Sequence, residues 1–306
     1  MKLVNYCLKH PFATSRMGVM TGSQVVDLAS AQTELKETGV IAGDTAPIAA
    51  APAVFYTDAA LHIKLAAEVY AQLVRYKPKC MFHRSEVKLL TPIPQPSKII
   101  CIGTNYADHV KEMGSEMPQY PVLFSKFTNA MIGPEDVIHK SAATEALDYE
   151  VELTVVMGKK ASKVLKEEAL DYVAGYTIGN DVSARDLQKR TPQWLQGKSL
   201  DHTTPFGPWM VTKDEIPNPG ELKVESFVNG VRRQSSNTKH FIFDIPYLIE
   251  FITNLITLEP GDMIMTGTPD GVGFAMNPPK LLEDGDVVTM EIEGIGQLEN
   301  IVAAKS

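Results

Sequence analysis

The chain has 306 residues, 44% hydrophobic and 22% charged, which is the composition of an ordinary globular protein with room for a large core. Its formal net charge is -8 and no run of Lys or Arg exceeds two residues, which argues against a nucleic-acid partner. The three cysteines, Cys7, Cys80 and Cys101, are too sparse for a disulfide framework or a zinc–thiolate site. Neither a signal-peptide core at the start nor a membrane-length apolar run is seen, so the expectation is a cytoplasmic protein with no membrane partner.

In chain order, residues 17–28 read as a hairpin around Thr21-Gly22-Ser23. Residues 57–76 read as a helix capped by Thr57, with Leu61, Leu65, Val69 and Leu73 recurring at i+4. "TPIPQPSK" (91–98), with three prolines, is a stiff connector. It divides the chain into an N-terminal accessory domain, 1–90, and a main domain, 97–306. Beyond it, 98–103 and 121–127 read as strands, and 106–114 as a short helix ended by Gly114. Residues 147–158, "LDYEVELTVVMG", read as one strand, with Asp148, Glu150, Glu152 and Thr154 on the face opposite its apolar residues. A helix near 165–172 leads into a strand, loop and helix over 172–186. Residues 221–234 are a hairpin turning at Asn229-Gly230. A helix within 243–262 stops before Pro260-Gly261, and strands with glycine turns finish the chain. Strands outnumber helices without a βαβ rhythm, so the fold class is α+β, mainly β, with mixed sheets.

Glu150 and Glu152, at i and i+2, aim two carboxylates the same way, and Asp181 ends another apolar strand. On their own, two such glutamates fit a solvated strand face. Three converging carboxylates, however, would repel unless a cation joined them, and an all-oxygen set suits Mg²⁺ or Mn²⁺. His109 and Glu112, at i and i+3, are helix neighbours and fit a water-activating dyad as well as a plain surface pair. Arg185, Gln188 and Lys198 lie on segments that could serve an anionic substrate. Thr268, in "TGTPDGVG" (266–273), could bind a carboxylate, or the loop could be only a tight turn. No P-loop and no G-x-S-x-G elbow is present.

Taken together, "GTNYADHVKEMG", "DYEVELTVVMGK", "GYTIGNDVSARDLQ", "GKSLDHTTPFGPW", "VNG" and "LEPGDMIMTGTPDGVG" resemble, in order and spacing, the fumarylacetoacetate hydrolase (FAH) family over about 97–302. The resemblance implies a β-roll of mixed sheets in a homodimer, behind a smaller, variable N-terminal α/β domain. It implies a metal triad at Glu150, Glu152 and Asp181, holding Mg²⁺ or Mn²⁺. The catalytic dyad falls on His109 and Glu112, within a segment that orders as a lid. Gln188 and Lys198 match positions that contact substrate or a reactive water. Thr268 matches a carboxylate-binding position, and Lys126 a lysine near the site.

The chemistry implied is cleavage of a C–C bond in a small 2-oxo acid through a metal-stabilised enolate. "SEVKLLTPIPQPSKIICIG" and "PPKLLEDGD" look most like the branch that includes a bacterial oxaloacetate decarboxylase. Decarboxylation to pyruvate and CO₂ is therefore the leading expectation. Acylpyruvate (fumarylpyruvate-type) hydrolysis and isomerisation of a 2-hydroxyhepta-2,4-diene-1,7-dioate stay open, because all three share the enolate. A sugar-acid dehydratase or lyase, and a degenerate ligand-binding protein, are the more distant rivals.

Overall fold

A computed structural model describes residues 1–304. Its backbone is a twelve-stranded mixed sheet, a five-stranded sheet and a two-stranded ribbon, with few long helices. The fold class is mainly β with mixed sheets. No helix among the described residues is long and apolar enough to cross a membrane.

The large sheet is ordered by pairing across great sequence distances. Val151–Met157 lies at its centre, antiparallel to Val173–Asn180 on one side and Met263–Met265 on the other. Met263–Met265 then pairs in parallel with Ile99–Gly103, and Val122–Lys126 closes that edge. On the other side Val173–Asn180 pairs with Thr204–Thr212, which takes Lys2–Leu8 as its next neighbour. The N-terminal strands thus continue the same sheet. Their apolar side chains (Leu3, Met17, Val26) share a core with Met210 and Met263 from the far end of the chain.

Helix Ile245–Leu255 shows why such elements form where they do. Asp244 caps it by accepting from the Tyr247 N–H, and Pro246 sits in the first turn, where it forfeits no helical bond. Its Ile245, Leu248, Ile249 and Ile252 stripe enters the main core against Leu153 and Val155. The hairpin Lys223–Val228 to Val231–Asn237 turns at Asn229-Gly230, both with positive φ, as a two-residue primed turn requires. The 17–28 hairpin and the C-terminal strands also form as expected.

Three expectations need correction. Helix Ala59–Gln72 is capped by Asp58, whose carboxylate reaches the Leu61 N–H, and not by Thr57. Its buried stripe runs through Ala59, His62, Leu65, Ala66 and Val69, whereas Leu61 is exposed, because 3.6 residues per turn drifts off an i+4 row. Residues 147–158 are two strands, Leu147–Asp148 and Val151–Met157, and not one. Side chains interrupt the ladder there: the Tyr149 N–H donates to the Asp148 carboxylate and the Glu150 N–H to Asn180 Oδ1. Strand Lys2–Leu8 and helix Leu28–Glu37, capped by Asp27, went unread in the sequence.

The shared core makes a test. Leu3→Ala should lower stability by about 2–5 kcal/mol. Urea unfolding followed by far-ultraviolet circular dichroism should give one transition for both variant and parent.

Candidate active site

The break at Tyr149-Glu150 is what builds the site. Val151–Met157 carries Glu152 inward, and the turn before it lets Glu150 reach the same point. Asp181 arrives from the end of Val173–Asn180, held by its own N–H donating to the Glu150 carbonyl. Gly179 precedes it in close contact: a Cβ there would sit 2.7 Å from Thr154 Oγ1 and 2.8 Å from Met265 Cε. One carboxylate oxygen each from Glu150, Glu152 and Asp181 lie within 4.8 Å of one another, all buried. Burial on both faces of the strand removes the solvated-face reading.

Cations surround these acids unevenly. Lys198 Nζ lies 2.8 Å from Glu150 Oε2 and 2.7 Å from Asp181 Oδ2. Lys126 Nζ donates to Asp181 Oδ1 at 2.7 Å and to the Val182 carbonyl. Arg185 is 2.7 Å from Glu150 Oε1, and its Nε donates to Asp148. Glu152 accepts only the Gly267 N–H and has no direct ion-pair partner among the described residues. The titration of the two glutamates follows. Burial opposes charge on Glu150, but Lys198 and Arg185 override it and hold that carboxyl well below the usual range. Burial, then the charges of Asp181 and Glu150, pushes Glu152 well above it. For Lys198 burial works downward, but Asp181 and Glu150 raise it to about 12.

This donor set fits a hard divalent cation. It offers oxygen only, it is closely spaced and buried, and one member lacks a counter-charge.

Across the cavity, His109 Nδ1 meets Glu112 Oε2 at 3.0 Å, and the other Glu112 oxygen receives the Gly271 N–H at 2.9 Å. Glu112 therefore ties helix Ala107–Glu112 to the 266–273 loop and engages His109 through Nδ1, leaving Nε2 outside that pair. Gln188 Oε1 accepts from Arg185 Nη1, which turns its amide N–H₂ away from the arginine. Thr268 donates its hydroxyl proton to the Val151 carbonyl and accepts from Gln234, so it holds the loop to the central strand. His109, Glu150, Glu152, Arg185, Gln188, Lys198 and Thr268 share one cavity of about 260 Å³; Lys126 lies behind it on Asp181.

Sequence reading missed several residues here. Asp148 accepts from Arg185, Gly273 and Phe274, so it anchors the arginine and the loop at once. It stands at i−2 from Glu150, on the same alternation, and that was its only signal. Gln234 and Asn180 gave none, because their work is to satisfy backbone groups from distant strands.

A mixed β-roll with buried acids at its centre and a histidine–glutamate pair over them defines an enzyme. The chain belongs to the fumarylacetoacetate hydrolase family: residues 98–303 match the family described as Fumarylacetoacetate (FAA) hydrolase C-terminal. Among its relatives, oxaloacetate tautomerase YisK of Bacillus subtilis (strain 168) is 45% identical over 286 residues, covering 92% of this chain and 94% of that protein. The fumarylacetoacetate hydrolase of psychrophilic Exiguobacterium antarcticum superposes with a TM-score of 0.76 at 35% identity, over 100% of both chains. Maleylpyruvate hydrolase from Sphingobium sp. SYK-6, solved with a manganese(II) ion and pyruvate, gives 0.76 at 27% identity, again over 100% of both.

Glu152→Ala should abolish stoichiometric Mn²⁺ binding, read by elemental analysis after gel filtration. The parent should melt higher with Mn²⁺ added and the variant should not. Equal metal content in both would remove Glu152 from the ligand set.

Proposed function

We propose that this enzyme interconverts the keto and enol forms of oxaloacetate, using Mg²⁺ or Mn²⁺ at Glu150, Glu152 and Asp181. The observation that carries the reading is one cavity lined by Glu150, Glu152 and His109, with Asp181 completing the acid triad beside the two glutamates and Glu112 orienting the imidazole. A cavity of about 260 Å³ suits a compact substrate. A relative at 45% identity bears the name oxaloacetate tautomerase, and another was solved with manganese and pyruvate.

When bound, the cation supplies Lewis acidity toward a chelating 2-oxo acid. His109 Nε2 takes the proton from C3, the C3–H electron pair forms the C2–C3 double bond as the C2=O π electrons move to oxygen, and the imidazolium returns its proton to that oxygen. Glu112 fixes the imidazole and stabilises the charge it acquires. Lys198 and Arg185 hold Glu150 ionised, so the triad keeps its shape as the proton moves. Gln188 presents amide donors to the substrate.

Decarboxylation, the leading expectation from sequence, is the other exit: the C3–C4 bond breaks, CO₂ leaves, and His109 delivers a proton to C3. Acylpyruvate hydrolysis would instead need His109 to activate water. The reading includes a homodimer in the cytoplasm. Support for the dimer is the exposed apolar pair Phe127 and Ile256, which line one cleft with the edge strand Val122–Lys126; light scattering that returns a monomer mass would remove it.

Two assays on one sample separate the reactions. Ultraviolet absorbance follows loss of the enol, and a lactate dehydrogenase couple follows pyruvate. With Mn²⁺, enol loss should be strongly accelerated while pyruvate forms no faster than with metal alone. Matched acceleration of both would favour decarboxylation. His109→Ala should slow enol loss by about 10²-fold or more, and EDTA should abolish it.

A further inference from the structure

The cavity has a second side that the chemistry above does not use. Part of its lining is apolar: Ile102, Gly103, Val122, Phe124 and Trp194. Phe124 and Trp194 meet edge-on, with ring centroids 5.2 Å apart and planes at 69°. We propose that this aromatic pair, seated over Gly103, is the selectivity wall of the site, admitting compact 2-oxo acids and excluding those with a bulky group on C3. The proposal rests on the 2-oxo acid reading and adds what limits the substrate.

The two rings are mounted on the same elements as the cations that brace the acids. Phe124 and Lys126 are i and i+2 on Val122–Lys126, so they share a face: Lys126 pairs with Asp181 and Phe124 stands in the cavity. Trp194 and Lys198 are i and i+4 across the short helix Leu195–Lys198, again one face, and Lys198 pairs with Glu150 and Asp181. Lys198 Nζ also lies 5.0 Å from the centre of the Phe124 ring. The wall therefore stands at a fixed distance from the acids.

Glycines make the fit. A Cβ at Gly103 would lie 2.4 Å from Trp194 Cζ3, so only glycine lets the indole lie there undisturbed. A Cβ at Gly197 would lie 2.5 Å from both the Ala184 carbonyl oxygen and the Gln188 nitrogen, so the turn carrying Trp194 docks directly on the segment carrying Gln188. Trp194 is half-buried, and replacing it opens the cavity toward solvent and disturbs no core.

The test is calorimetric titration of Mn²⁺-loaded protein with two probes, oxalate and phenylpyruvate. Oxalate reports an intact metal site, and phenylpyruvate carries a phenyl group on C3. The parent should bind oxalate and bind phenylpyruvate far more weakly. Trp194→Ala should tighten phenylpyruvate by at least about tenfold, worth about 1.4 kcal/mol, and keep oxalate within about threefold. Trp194→Phe should fall between. An unchanged phenylpyruvate-to-oxalate ratio in both variants overturns the wall and leaves the 2-oxo acid reading standing. Loss of oxalate binding in both variants also overturns it, by making Trp194 a structural support of the metal site. A parent that binds neither probe overturns the wall and the 2-oxo acid reading together.

Discussion

Buried negative charge is the constraint on which the rest of this protein depends. Asp148, Glu150, Glu152 and Asp181 are taken out of water together, and Lys126, Arg185 and Lys198 are buried with them as their ion-pair partners. Each isolated carboxylate would be very costly at such depth. Ion pairs with good geometry hold Glu150, Asp148 and Asp181. Glu152 is left with a backbone N–H and the repulsion of its neighbours. That imbalance is a poor way to stabilise a fold and a good way to leave a place for a doubly charged ion.

The architecture can bear such a cluster because the middle of the sheet is dry and rigid. Val151–Met157 is buried along its whole length, with strands paired on both sides. Apolar residues from the five-stranded sheet and helix Ile245–Leu255 pack on the same core. Main-chain groups freed where the ladder breaks are taken up by Asn180, Asp148 and Gln234. Side chains that satisfy the break also aim the acids, so structural and chemical demands fall on the same few residues.

Around these acids the cavity presents groups of a different kind. His109 comes from a short helix tied to the 266–273 loop by Glu112. The aromatic pair comes from an edge strand and a four-residue helix. Loops and edge elements thus carry the parts that differ in size and chemistry, while the central strands and their immediate ends carry the acids. This is the usual division between a rigid scaffold and adaptable binding groups.

Periodicity and turn chemistry in the chain alone determined the mainly β class, the Asn229-Gly230 hairpin and the helix before Pro260. The pairing of Glu150 with Glu152 was legible because i and i+2 share a strand face, and His109 with Glu112 because i and i+3 share a helix face. These are local rules, and local spacing obeys them. Asp181 was only a suspicion until a third strand brought it beside the other two. The tertiary structure alone decided that residues 147–158 break into two strands, since the break depends on Asn180. It also decided that Arg185 answers to Asp148 and that Trp194 faces Phe124 over a glycine. Each of these is a contact between segments tens of residues apart, and no repeat or spacing encodes which distant strand will be the neighbour.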